Sequence, residues 1–88
     1  MDKMKTSDYD YIIVESFIPT DMTGRHGLVH IRPISGQEPF MTSLFVECSK
    51  ELSNDYPVGT KFRIRAKITE REGTPFIFSS YAWAYEVI

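Results

Sequence analysis

The chain has one cysteine, Cys48, so no intramolecular disulfide can form, and its two histidines fit no structural zinc spacing. A reducing compartment, the cytoplasm, is the resulting expectation. An excess of positive charge is also lacking: ten Lys and Arg stand against twelve Asp and Glu, a formal net charge of −2. That balance excludes binding that rests on wholesale phosphate neutralisation, so any contact with nucleic acid has to be local. No apolar run approaches the ~20 residues needed to span a bilayer, and the opening Met-Asp-Lys-Met-Lys-Thr-Ser-Asp lacks the apolar centre of a signal peptide. No membrane partner is expected. Catalytic signatures are missing too, with no nucleophile elbow, phosphate loop or paired-histidine motif, and Cys48 and Glu47 point to opposite faces of an alternating segment. The chain is therefore expected to be a non-enzyme without a cofactor, with Cys48 as a small apolar filler. His26 and His30, four apart on an extended segment, are about 13 Å from each other and cannot share a metal. The run Gly24-Arg25-His26-Gly27 reads as a flexible turn, with backbone amides that could wrap an anion.

What the chain does have is short alternating segments. Its 88 residues allow one core, and 14% aromatic content with many β-branched residues suits strands. Residues 1–7 read as a polar tail and 8–88 as one β domain. Residues 9–18 form a first strand, with Ile12, Val14 and Ile18 on one face and Tyr11, Ile13, Glu15 and Phe17 on the other. Residues 26–34 form a second that Pro33 ends or leaves at an edge. Residues 40–46 form a third, with Phe40, Leu44 and Val46 inward. Residues 49–54 fit a helical turn capped by Ser49 and stopped by Pro57 and Gly59. Two long strands follow, joined at Arg71-Glu72-Gly73. The expected class is all-β, a small five-stranded barrel with a short helical turn between strands three and four. That order resembles the OB-fold, and an SH3-like barrel is the near competitor.

The clearest segment is Lys-Phe-Arg-Ile-Arg-Ala-Lys at residues 61–67. A period of two sends Lys61, Arg63, Arg65 and Lys67 to one face and Phe62, Ile64, Ala66 and Ile68 to the other. Tyr81, Trp83 and Tyr85 share a face if the last strand is unbroken. With Gly73 closing a three-residue loop, Arg63 faces Tyr81 and Lys61 faces Trp83, so cations and rings line one surface; inside, Phe76, Phe78, Ser80 and Ala82 meet the apolar row. A four-residue loop instead turns Tyr81 and Trp83 into core, and a bulge at Ser79-Ser80 would let the strand serve both faces. The first register makes Lys61, Arg63, Arg65, Lys67, Tyr81 and Trp83 the candidate ligand-binding set. Its expected ligand is single-stranded DNA or RNA, or another extended anion, because cations neutralise phosphates while rings stack on bases. The alternative is a protein-interaction barrel using Met41, Phe45, Tyr11 and Phe17 as an apolar patch.

The alternation makes Ile64 the centre of the core strand. Ile64→Ala should cost about 2 to 5 kcal/mol in a urea unfolding titration; a loss below about 0.5 kcal/mol, the surface range, would invert the strand's facing.

Overall fold

The computed structural model describes residues 9–19 and 29–88. The tail expected at residues 1–7 and the glycine-flanked turn containing His26 lie outside the described residues. The elements run β1 (Asp10–Phe17), β2 (His30–Pro33), β3 (Val46–Glu47), α1 (Glu51–Asn54), β4 (Lys61–Arg71), β5 (Thr74–Phe78) and β6 (Glu86–Val87). The protein is mostly β, with one helical turn placed between β3 and β4 as expected. Six strands are present among the described residues, where five are expected. They form one sheet in the order β2-β1-β4-β5-β3, with β6 added to β4. All neighbours are antiparallel except β3 and β5, which run parallel. Among the described residues the sheet is not closed: β2 and β3 end the main path, and β6 pairs only with β4.

The alternation of residues 61–67 is realised in β4, where Phe62, Ile64 and Ala66 are fully buried and meet Ile12, Val14, Val46, Leu52 and Ile77 in one apolar cluster. Ile68, expected inside, is 37% exposed. The β1 ladder ends with Asp10 opposite Ala66, so β1 provides no cover beyond that rung. Ile18, also expected in the core, lies past the end of β1 and is exposed. Ser16 takes the buried position instead, with its polar groups satisfied: its amide donates to Thr60 O at 3.1 Å, and Gly59 N–H donates to its Oγ at 3.0 Å. The third strand shrinks to two residues because turns use the backbone before it. Phe40 N–H bonds Gln37 O at 2.8 Å and Leu44 N–H bonds Met41 O at 3.1 Å. Phe40 and Val46 are buried all the same, since a turn can aim a side chain inward as well as a strand can. Ser49 Oγ accepts the Glu51 amide at 3.2 Å at the start of α1.

The hairpin between β4 and β5 differs from both expected registers. Arg71 pairs with Thr74 across a two-residue turn, Glu72-Gly73, with φ of +54° and +80°. Positive φ at both positions matches the twist of the flanking strands. Gly73 adopts it freely, whereas Glu72 is held in a region that residues with a Cβ seldom occupy. Lys67 and Thr69 consequently lie opposite Phe78 and Phe76; Phe76 is buried, as expected, while Phe78 is only half-buried.

Where β2 runs out, a side chain completes the ladder. Ile34 N–H donates to Ile13 O at 3.1 Å, but the return bond is not made. The Gln37 amide is wedged there. Its Oε1 accepts Ile13 N–H at 2.8 Å, while its Nε2 donates to Ile13 O at 2.8 Å and Ile34 O at 3.2 Å. Gln37→Leu leaves the part-buried Ile13 N–H of β1 unpaired, while Ile13 O keeps the bond from Ile34 N–H. It should destabilise the fold by about 1 to 3 kcal/mol in chemical denaturation; an unchanged midpoint would mean that the backbone closes this rung unaided.

Candidate basic and aromatic interface

The register of β1 on β4 sets the outer face. Glu15 lies opposite Lys61, Ile13 opposite Arg63 and Tyr11 opposite Arg65, while β6 brings Glu86 opposite Arg63. Two of the four cations therefore meet carboxylates. Arg63 Nη1 donates to Glu86 Oε1. Lys61 Nζ stands 3.9 Å from Glu15 Oε1, although Glu15 is held more closely by Arg32 Nε at 2.9 Å. The Arg32 guanidinium in turn lies 4.0 Å from the centre of the Phe17 ring.

Arg65 and Lys67 have a different environment. The Arg65 guanidinium is 5.3 Å from the Trp83 ring centre, 5.6 Å from Tyr9 and 5.8 Å from Tyr11, within reach of cation–π attraction to each. Its one side-chain hydrogen bond among the described residues is from Nη2 to Tyr11 Oη at 3.4 Å. Lys67 Nζ lies 6.0 Å from the Tyr9 ring centre. Among the described residues, no carboxylate comes within ion-pair distance of either cation.

Trp83 reaches Arg65 by a route other than strand pairing. β5 ends at Phe78, and residues 79–85 leave the ladder, with Trp83 N–H donating to Ser80 O at 3.0 Å and Ala82 N–H to Ser80 Oγ at 3.1 Å. An unbroken hairpin would set Ala82 opposite Arg63; Glu86 stands there, so four extra residues are looped out. Neither expected placement of Trp83 therefore applies. It is half-buried, edge-on to Tyr9 at 4.6 Å and to Phe78 at 5.8 Å between ring centres. Tyr81 does not face Arg63; it sits in the turn, 82% exposed.

Below this cluster lies an open depression of about 490 Å³, lined by Tyr11, Arg63, Arg65, Ala84, Tyr85 and Glu86. Tyr85 is anchored at its rim. Its hydroxyl donates to Glu51 Oε1 at 2.8 Å and lies 3.0 Å from Tyr56 Oη, so the remaining proton in that pair comes from Tyr56. These bonds to Tyr56 and then Glu51 hold the Tyr85 phenol well above its ordinary range. Tyr9, Phe78 and Tyr85 were not in the expected set. The spacing of Tyr9 and Tyr11 was a usable signal, but only the pairing of β1 with β4 turns it into a shared surface. The four residues of the expected apolar patch are divided: Tyr11 adjoins Arg65, Phe17 lies under Arg32, and Met41 and Phe45 are exposed ahead of β3.

No protein-family model matches the chain, no curated protein matches it, and no solved structure matches it. Its chemistry is read from its own residues. Among those described, no group of three or more His, Cys, Asp or Glu is placed to hold a metal ion. No described helix is long and apolar enough to cross a membrane.

Cys48 packs against the core beside Glu47. Burial, and then the Glu47 charge, pushes its thiol up to about 11 from 9.0. A group raised in the folded state favours folding below its unfolded pKa, and that advantage fades as pH climbs from about 9 to about 11. Native protein at pH 8 should therefore react with an alkylating reagent far more slowly than protein unfolded in urea. Equal rates would show an open thiol.

Proposed function

We propose that the protein is a non-enzymatic module that binds single-stranded nucleic acid on the outer face of β1 and β4, and that it works in the cytoplasm. The observation that carries this reading is the pair Arg65 and Lys67, set among Tyr9, Tyr11 and Trp83 without a carboxylate in ion-pair reach among the described residues. A guanidinium has five N–H donors in a planar fork, and Arg65 uses one of them in a long bond to a phenol, so most of its capacity is left for phosphate. Three rings beside it offer faces and edges on which unstacked bases can pack, each worth about 1 to 3 kcal/mol. A duplex keeps its bases stacked inside and cannot use them.

The centre of binding is Arg65 and Lys67 rather than the whole row, because Lys61 and Arg63 already face Glu15 and Glu86. We further read the sheet as a partly open OB-like barrel. The helical turn between β3 and β4 supports this, as does the approach of β2 to β3 across the unpaired seam. Ligands of OB-folds lie across strands two and three, so this site is displaced onto β1 and β4. A second reading, a protein contact, is favoured by Met41 and Phe45, 47% and 64% exposed just ahead of β3.

Fluorescence anisotropy with labelled DNA and RNA oligonucleotides at two salt concentrations tests the proposal. Wild-type protein should bind single strands in preference to duplex and weaken as salt rises. Arg65→Ala with Lys67→Ala should keep the circular dichroism spectrum, weaken binding and flatten the salt slope by about 1.4, or 0.7 for each lost phosphate contact. Absence of wild-type binding at low salt overturns the reading and leaves the apolar contact, which salt does not weaken.

A further inference from the structure

The depression beside the cluster holds a feature that binding does not need. Both Arg63 and Arg65 line it, with Tyr11 on one side and Tyr85 on the other, yet Arg63 is occupied by Glu86. That carboxylate comes from β6, a two-residue strand joined to β4 by the rungs Phe62–Val87 and Arg63–Glu86 and by Ile88 N–H to Lys61 O at 2.9 Å. The two side chains are about half and two-thirds exposed, so their ion pair is in water and is worth little. A carboxylate on a guanidinium has the charge and the planar donor geometry that a phosphate oxygen pair would use in its place.

We infer that Glu86 is a built-in competitor for the nucleic-acid phosphate. The depression is a single-nucleotide subsite: its base lies between Tyr11 and Tyr85, and its phosphate bridges Arg63 and Arg65 once Glu86 has swung away. This rests on the proposed nucleic-acid reading. It adds that the site is restrained by the protein's own β6, so that affinity in the wild type is below what its cations could supply. Tyr85 does not move in this exchange, because Glu51 and Tyr56 fix its hydroxyl from the opposite side.

Three carboxylate variants test it against a labelled single-stranded oligonucleotide. Glu86→Gln should bind about twofold to fivefold more tightly than wild type, the size of one exposed ion pair, with a salt slope steeper by about 0.7. Glu38→Gln removes the same charge from an exposed residue outside the site and should change neither quantity. Glu86→Asp keeps the charge and draws the carboxylate back by one methylene, so it should also tighten binding, though less. In an Arg63→Ala background, the gain from Glu86→Gln should vanish. Equal or weaker binding by both Glu86 variants, while Arg65→Ala with Lys67→Ala still weakens binding, overturns the competitor and leaves the nucleic-acid reading intact. A gain of the same size in Glu38→Gln overturns it as well, by reducing the effect to net charge. If neither wild type nor any Glu86 variant binds, both readings fall.

Discussion

Strand β4 hydrogen-bonds to three others, and the rest of the molecule is arranged around that. Along one edge, residues 61–66 pair with β1; along the other, residues 67–71 pair with β5 and residues 62 and 63 pair with β6. A strand bonded on both edges has its side chains committed to two faces with no freedom to slip, since a one-residue shift would send every buried side chain outward. Phe62, Ile64 and Ala66 are thus locked inside, and the cationic row is locked outside. Tyr56 and Tyr85 pack edge-on against Phe62 at 5.1 and 5.8 Å between ring centres, so the core strand also positions the rim of the depression.

On the outer face, the same strand carries two kinds of cation. Lys61 and Arg63 stand opposite acidic residues on neighbouring strands, as cross-strand charge pairs commonly do. Arg65 and Lys67 stand where the neighbours are rings. Rings attract a cation without neutralising it, so the field of those two residues extends into solvent, whereas Glu86 offsets Arg63 and Lys61 shares Glu15 with Arg32. The binding proposal and the competitor proposal both follow from this division. Arg71 over Phe76, at 4.6 Å, repeats the arrangement farther along β4, but there Glu47 takes the guanidinium at 3.0 Å.

Irregular backbone, rather than the regular ladder, brings the site together. The excursion of residues 79–85 moves Trp83 off the strand and onto Tyr9 and Phe78 beside Arg65. The Gln37 side chain performs a similar service for β1, supplying an amide where β2 has turned away. In each case a polar side chain or a turn hydrogen bond satisfies backbone groups that the sheet leaves open. That is why neither departure from the sheet unravels it.

Several features are legible in the order of residues alone: the facing of Phe62, Ile64 and Ala66, the outward row of cations, the helical turn after Ser49, the edge position forced by Pro33, and the mostly-β class. Each depends on backbone geometry within a few residues, on a period of two or on a ring that removes a donor. The register of the hairpin is not legible in that way, because Glu72 adopting a left-handed conformation depends on the twist of both strands, and a shorter turn changes every opposite pair. Nor are the partners of Arg65. Tyr9 and Tyr11 reach it through β1, more than fifty positions away in the chain, and Trp83 through a four-residue insertion that only the resumption of pairing at Glu86 reveals. The sequence by itself determined which side chains of β4 face inward, since that is local; the tertiary structure decided which cations are neutralised and which are left among rings, since that depends on which distant strand lies alongside.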